Sequence, residues 1–477
     1  MRFIKTKKDA IVSLSVIILL GIVLRFFTLG SRAFWLDEAF TLFTVRLPIS
    51  EIFQSLITDP HPPLYFLMLH FWQYLGNSEF IFRFPSLVFS VLAIFFIYKV
   101  GKEIYNREVG IFAALILAVS KFQLRYAHET RDYTLLLFLS LLSTFFFIRL
   151  FKNNKKKDWI YYTLATIVGI YTHYFMALII IVHNIYFLIF KRRLIKKWII
   201  TQTILAISYI PLISLFLQQK NYIVLPQFQI PFVKLINVVS TFVFFSGSRA
   251  LLIFYGSILL LSFIFYKKDF FFNKKMFFLY IYFLPILVIF ILAKAEFIYY
   301  THRHFLMVSP AFYIIVSKAI SNVKTNLKPI VLVLLIMLNS FAVMGYYHTD
   351  FNTTLRDIST KISSNYEEGD VIVHTSYHTF VPIIEYHNRE LDEYMASNGG
   401  NFFNATFFEN SIYTKDNHIK DPSSLENYKR IWFVNGTYRN TGASDWITQG
   451  DIELIEEEQY IWGIDLFLYE VKEEDDE

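Results

Sequence analysis

The 477-residue sequence has no cysteine. Disulfides, iron–sulfur clusters and thiolate chemistry are thereby excluded, while the redox compartment stays open. There is no Walker loop and no Gly-rich dinucleotide fingerprint, so nothing calls for a nucleotide. No HExxH occurs, and the scattered histidines lack the spacing of a zinc site, so no metal and no cofactor are indicated. No repeat of solenoid length is present. The 53 Phe and 31 Tyr are expected to pack against lipid rather than stack on bases, and no nucleic-acid partner is expected.

What the chain has in abundance is apolar length. Hydrophobic residues make up 55% of it, and runs of 17 to 21 of them recur along the first 347 positions. At a rise of ~1.5 Å per residue, ~20 residues cross a hydrocarbon core of ~30 Å. The expected class is a polytopic α-helical membrane protein. Eleven spans are expected, at about 11–29, 84–102, 108–124, 132–151, 158–173, 174–190, 198–217, 249–266, 276–293, 304–320 and 329–347. Two shorter apolar pieces, 62–75 and 233–247, read as re-entrant or interfacial helices on the outer side; counted as crossings, they bring the total to thirteen. The first run reads as an uncleaved anchor, because no small-x-small cleavage site follows it.

Charge fixes the orientation. With the N-terminus inside, the strongly basic turns, such as those around Lys155–Lys157, Lys191–Lys197 and Lys274–Lys275, all fall on the inner face. Residues 1–347 hold 36 Lys and Arg against 13 Asp and Glu, whereas residues 348–477 hold 9 against 26. A basic membrane domain, 1–347, is therefore followed by an acidic soluble domain, 348–477, on the outer side of the cytoplasmic membrane. Its pattern is α/β: helices at 357–366 and 379–387, strands at 370–376, 430–436 and 463–471.

The outer face gathers the sparse charges. Asp37 and Glu38 stand in WLDEAF within a long first loop, 30–83, which also holds His61 in DPHPP and ends at Arg83. Arg125, His128, Glu129 and Arg131 lie at 123–133, His173 at 171–175, and His302, Arg303 and His304 at 294–304. The two adjacent acids read either as a solvated loop start or helix N-cap, or as catalytic groups. Trp35 and Phe40 favour the headgroup level, where partial desolvation raises a carboxylate's proton affinity and suits a general base. Neighbours on a helix point ~100° apart, so the two acids are expected to have separate roles. His61 opens a short apolar helix at its positive end, where an anion can bind. The arginines read singly as snorkelling anchors; together with the histidines they form an electropositive outer pocket suited to a phosphate.

Trp-x-Asp-Glu, then His-Pro-Pro-Leu, then Arg-x-Pro-Ser at 83–86 resemble membrane glycosyltransferases of the GT-C fold. So do Tyr-x-x-Glu-x-Arg-x-Tyr at 126–133, Thr-His-Tyr at 172–174, and Arg303 ahead of a helix with Pro310. The branch they resemble contains the dolichyl-phosphate-mannose–protein mannosyltransferases and the lipid A aminoarabinose transferase. The resemblance implies an inverting transfer of a sugar from a polyprenyl-phosphate donor to a lipid, glycan or protein acceptor. It implies Asp37 as the base and Glu38 as an orienting or substrate-binding acid. It assigns donor or phosphate binding to His61, Arg83, Glu129, Arg131, His173 and Arg303. A lipid-linked glycan polymerase and a transporter or flippase are the rival readings; the second would place charges at mid-membrane in two related halves.

The absence of native cysteine makes the topology directly testable. In intact cells an impermeant thiol reagent is expected to label a cysteine placed at Ser423 and to spare one at Lys156; the reverse pattern would overturn the orientation.

Overall fold

The computed structural model describes the chain apart from residues 1–5, 224–232, 272, 296, 349–352, 388–390, 397–417, 420–424, 426, 437–451, 461–462 and 473–477. Among the described residues, six helices are long and apolar enough to cross a membrane, or eight if each of two bent pairs is one span. Met176–Phe190 is a shorter apolar helix beside them. Every expected span falls on a helix or helix pair. The count is lower because three of these helices, Lys156–Thr172, Met176–Phe190 and Ser309–Asn322, have only 17, 15 and 14 residues. Site residues lie at the breaks beside them: His173 caps Lys156–Thr172, and Arg303 sits in the 3-10 turn His302–Phe305 before Ser309–Asn322. The two pieces read as interfacial became the helices Leu64–Trp72 and Leu235–Ser246, and the latter turns by 90° into the next helix.

Local chemistry sets the boundaries. Asn106 caps Arg107–Val119 by accepting from the Val109 amide, and Ser120 caps Lys121–Ala127 by accepting from Gln123. A 60° bend separates those two helices. Glu79–Ile104 packs against Arg107–Val119 through two glycines. A Cβ on Gly110 would lie 2.5 Å from the Tyr98 carbonyl, so only glycine permits that approach. Arg25, buried in the first span, donates to Ser90 and to the carbonyls of Gly21, Leu117 and Ala118, which ties three segments together.

Among the described residues the C-terminal part forms a six-stranded sheet in the order β3-β2-β1-β4-β6-β5. Its strands are β1 Asp370–His374, β2 Glu393–Ala396, β3 His418–Ile419, β4 Arg430–Gly436, β5 Ile452–Tyr460 and β6 Ile464–Val471. The first four named in spatial order run parallel, while β6 is antiparallel to β4 and β5. Central β1 is buried along its whole length, as its DVIVH sequence foretells. The strands β2, β3 and β5 escape the sequence pattern: two are very short, and β5 is an edge rich in exposed glutamates.

This part docks on the segment 30–83. Phe380, Val381 and Ile384 of the helix Tyr377–Tyr386 pack against Ala39, Phe40 and Phe43 of the helix Leu36–Arg46. An Arg46–Glu385 ion pair of 2.6 Å and a Phe34 amide donating to the Tyr386 hydroxyl at 2.8 Å flank the contact. Phe380→Ala removes a fully buried ring, at a cost of about 3–5 kcal/mol for such truncations. Hydrogen exchange is expected to quicken in the amides of Leu36–Arg46 and to stay unchanged in the span Tyr133–Asn153.

Candidate active site

The helix Leu36–Arg46 starts inside WLDEAF. Trp35 is its extended N-cap, and Glu38, in the third position, turns back toward the Trp35 amide at 3.5 Å. That geometry sends the two adjacent carboxylates into different surroundings.

Glu38 is sealed. Its Oε1 accepts from Arg83 Nε at 2.9 Å and from the Thr130 amide at 2.7 Å, and its Oε2 accepts from Arg83 Nη2 at 2.7 Å. Both side chains of the pair are 1% exposed. The remaining Arg83 N–H groups go to the carbonyls of Leu29, Arg32 and Ala33. All five guanidinium donors are therefore spent within the protein. The sequence expectation that Arg83 binds a donor phosphate meets a side chain with no donor left to give.

Asp37 is open. Its side chain is 24% exposed, and Oδ2 accepts from Arg303 Nη1 at 2.5 Å. Arg303 lies over the Tyr133 ring at 5.9 Å, and its Nε has no hydrogen-bond partner among the described residues. Arg131 holds the other side of Asp37: its Nη1 donates to the Asp37 carbonyl at 3.3 Å and to Thr41 Oγ1 at 3.0 Å. Arg131 and Arg303 thus meet Asp37 directly, whereas Arg83 meets only its neighbour.

His61 does not face an open anion site. Its Nδ1 is bonded to Asp59, Arg131 Nη2 lies 3.2 Å from its ring nitrogens, and His173 meets its ring edge-on at 5.2 Å. An acid already beside it opposes phosphate binding there. Gln219 clamps this loop by donating to the carbonyls of Leu56, Asp59 and His61. Asp59, Asp132 and Gln219 are site residues to which sequence reasoning gave no role. The only signal for the first two was their place inside DPHPP and ETRDY, beside residues already singled out.

Four of the histidines are held neutral by burial. Burial holds His128 down at about 3 and His302 at about 4, and it holds His173 and His304 well below the usual range. His128 serves structure instead, bonding the Tyr346 hydroxyl and the Arg25 carbonyl. The positive charge of the pocket is carried by arginine. Glu129 is 7% exposed, with Oε1 3.4 Å from Arg125 Nε and Oε2 without a partner among the described residues. Burial pushes it up from 4.5 to about 7, against the pull of Arg125.

Comparison with known proteins follows the same line. The family model described as Dolichyl-phosphate-mannose-protein mannosyltransferase matches residues 60–217. No curated protein sequence matches the chain. Among solved structures, ArnT from Cupriavidus metallidurans bound to undecaprenyl phosphate superimposes with a TM-score of 0.66 at 10% identity, over 95% of this chain and 97% of that one. The archaeal oligosaccharyltransferase AglB from Archaeoglobus fulgidus, in complex with an inhibitory peptide and a dolichol-phosphate, gives 0.55 at 12%, over 89% of this chain and 69% of that one. The fold is that of the GT-C membrane glycosyltransferases, with a small C-terminal sheet.

The raised Glu129 pKa has a sign. The folded state keeps a proton that the unfolded chain releases near 4.5, so stability is fully present at low pH and is lost as pH rises through about 7. The slope is at most about 1.4 kcal/mol per pH unit. Melting curves across this window are expected to flatten in Glu129→Gln; parallel curves for the two proteins would contradict the assignment.

Proposed function

We propose that this chain transfers a sugar from a polyprenyl-phosphate-linked donor to an acceptor hydroxyl on the outer face of the cytoplasmic membrane, with the N-terminus inside. The carrying observation is the split environment of the acid pair: Asp37 half-open beside Arg303, Glu38 locked on Arg83. The GT-C fold and the family match over 60–217 support the reaction class.

In this reading Asp37 takes the proton of the acceptor hydroxyl as that oxygen attacks the anomeric carbon. The bond from the anomeric carbon to the phosphate oxygen breaks, and the phosphate leaves with the electron pair, inverting the sugar centre. A phosphate leaves readily as an anion, so little acid assistance is needed and one base suffices. Arg303 holds Asp37 with one nitrogen and retains donors for the departing phosphate, where charge develops. Arg131 fixes the Asp37 backbone. Glu38 and Arg83 are positioning residues, which revises the binding roles that the resemblance gave them. Glu129 and His173 line the same pocket without contacting Asp37.

Asp37→Asn keeps the side-chain volume but cannot accept the proton. Transfer from a purified polyprenyl-phosphate sugar is expected to fall about 100- to 10,000-fold, with melting temperature and donor binding retained. Glu38→Gln is expected to lower the melting temperature as well, because it leaves a buried Arg83 unpaired at a cost of about 3–5 kcal/mol. Near-normal turnover in Asp37→Asn would sink the proposal.

A further inference from the structure

We propose that His387, Glu393 and His374 form a proton-operated lock under the helix Tyr377–Tyr386, which sets how firmly that helix is held against Leu36–Arg46. All three side chains are buried. They come from the residue that caps the helix, from β2 and from β1. Glu393 Oε1 is bonded to His387 Nδ1 and lies 3.9 Å from His374 Nε2.

The proton count is the first argument. Both nitrogens of His387 face acceptors: Nδ1 meets the Glu393 carboxylate, and Nε2 lies 3.2 Å from the Ser359 carbonyl. A neutral imidazole has one N–H and serves only one of them, so both bonds need an extra proton shared between His387 and Glu393. Burial opposes that charge, but Glu393 and the Ser359 carbonyl outweigh it and raise His387 above its ordinary 6.5. His374 goes the other way. Its Nδ1 lies 3.3 Å from Thr379 Oγ1, which itself donates to the Ser376 carbonyl, so the ring proton sits on Nδ1 and Nε2 faces Glu393 bare. Burial holds His374 below 6.5, against the pull of Glu393.

Position makes the proton matter. Ile383 packs among Ile358, Ile362 and Ile372, and His387, four residues on, lies on the same side of the helix. Just before His387, Glu385 and Tyr386 make the polar ties to the segment 30–83, to Arg46 and to the Phe34 amide. A helix end that loses Ser359 or Glu393 carries both ties with it. Among the described residues, the other charged groups on the packed elements are engaged elsewhere: Arg356 with Glu79, Lys361 with Glu456, and Glu385 with Arg46. On β1, Asp370 is taken by Arg430, and Tyr366, which feels the Glu393 charge, donates to the Asp370 carbonyl.

The two histidines give the hold a window. Once the cluster opens, each titrates near 6.5. His387, raised in the closed cluster, contributes a hold that is fully present below 6.5 and lost as pH rises through its higher value. His374, lowered there, contributes one that is fully present above 6.5 and lost as pH falls through its lower value. The lock is therefore tightest near 6.5 and slackens on both sides. Glu393, pulled below its ordinary 4.5 by the two histidines against burial, keeps its charge through this range. The consequence for transfer, through the position of Asp37, rests on the reading above; the lock itself does not.

The test reads protons and amides rather than sugar transfer, and so fails separately from that reading. Full-length protein in detergent is followed by mass spectrometry from about pH 5 to about pH 9. Exchange of each histidine's ring C2 hydrogen is expected to place His387 above 6.5 and His374 below it. Amide exchange in Tyr377–Tyr386 and Leu36–Arg46, corrected for its intrinsic pH dependence, is expected to be slowest near the middle of the range. It quickens by up to about tenfold per pH unit on either side. His387→Gln is expected to lose the alkaline rise and His374→Gln the acidic one, while Glu129→Gln, which removes another group that titrates there, keeps both. Three results would overturn the lock: a wild-type His387 midpoint at or below 6.5, wild-type exchange in these helices that is flat across the range, or an unchanged alkaline rise in folded His387→Gln.

Discussion

The buried Glu38–Arg83 pair is the constraint on which the rest of the site depends. Two charges taken from water cost several kcal/mol each, and their attraction repays this only when every remaining donor and acceptor is met. Here the requirement dictates the path of the chain. The carbonyls of Leu29, Arg32 and Ala33 must converge on one guanidinium, and the Thr130 amide must reach Glu38 from a segment some ninety residues away. Once those partners are in place, the N-terminus of Leu36–Arg46 has one orientation. Asp37, a step of ~100° further round the helix, is then turned toward Arg303.

Much of this was legible in the sequence, and the failures have physical causes. Apolar runs give spans because the backbone in hydrocarbon has few alternatives to a helix. Paired acids at a helix start meet separate surroundings because the helix period separates them. Arg131 and Arg303 fell beside Asp37 as their outer-face positions implied. Arg83 was placed in the right neighbourhood with the wrong partner: it lies on the inward side of Glu79–Ile104, and no pattern in the sequence says which anion an arginine will meet. The histidines were misjudged because charge depends on burial, which position along the chain does not report. Asp59 and Asp132 stayed silent because their meaning lies in what surrounds them: His61, Asp132 and His173 converge from segments 41 to 112 residues apart.

The pocket separates its electrostatic tasks by residue type. Arginine keeps its charge when buried, so it carries the fixed positive field. Histidine loses its proton under the same burial, as His173 and His304 do, and becomes a neutral donor or ligand. A site assembled from both offers cations at stated points without a diffuse positive cloud. That suits the binding of a compact anionic group.

The C-terminal sheet and its helices belong to this frame as well. Leu36–Arg46 is braced at its N-terminal end by Arg83 through Glu38, and at its C-terminal end by Glu385 through Arg46. Between them, Phe380, Val381 and Ile384 cover the helix face formed by Ala39, Phe40 and Phe43. Arg356 adds a further hold, donating to the Ser31 carbonyl and pairing with Glu79 at the start of the helix that carries Arg83. A short helix of 11 residues is marginal by itself. Its rigidity is therefore supplied from both sides, by a buried ion pair in the membrane domain and by an apolar face of the acidic domain. The acid at its first turn can be positioned only as firmly as those two supports allow.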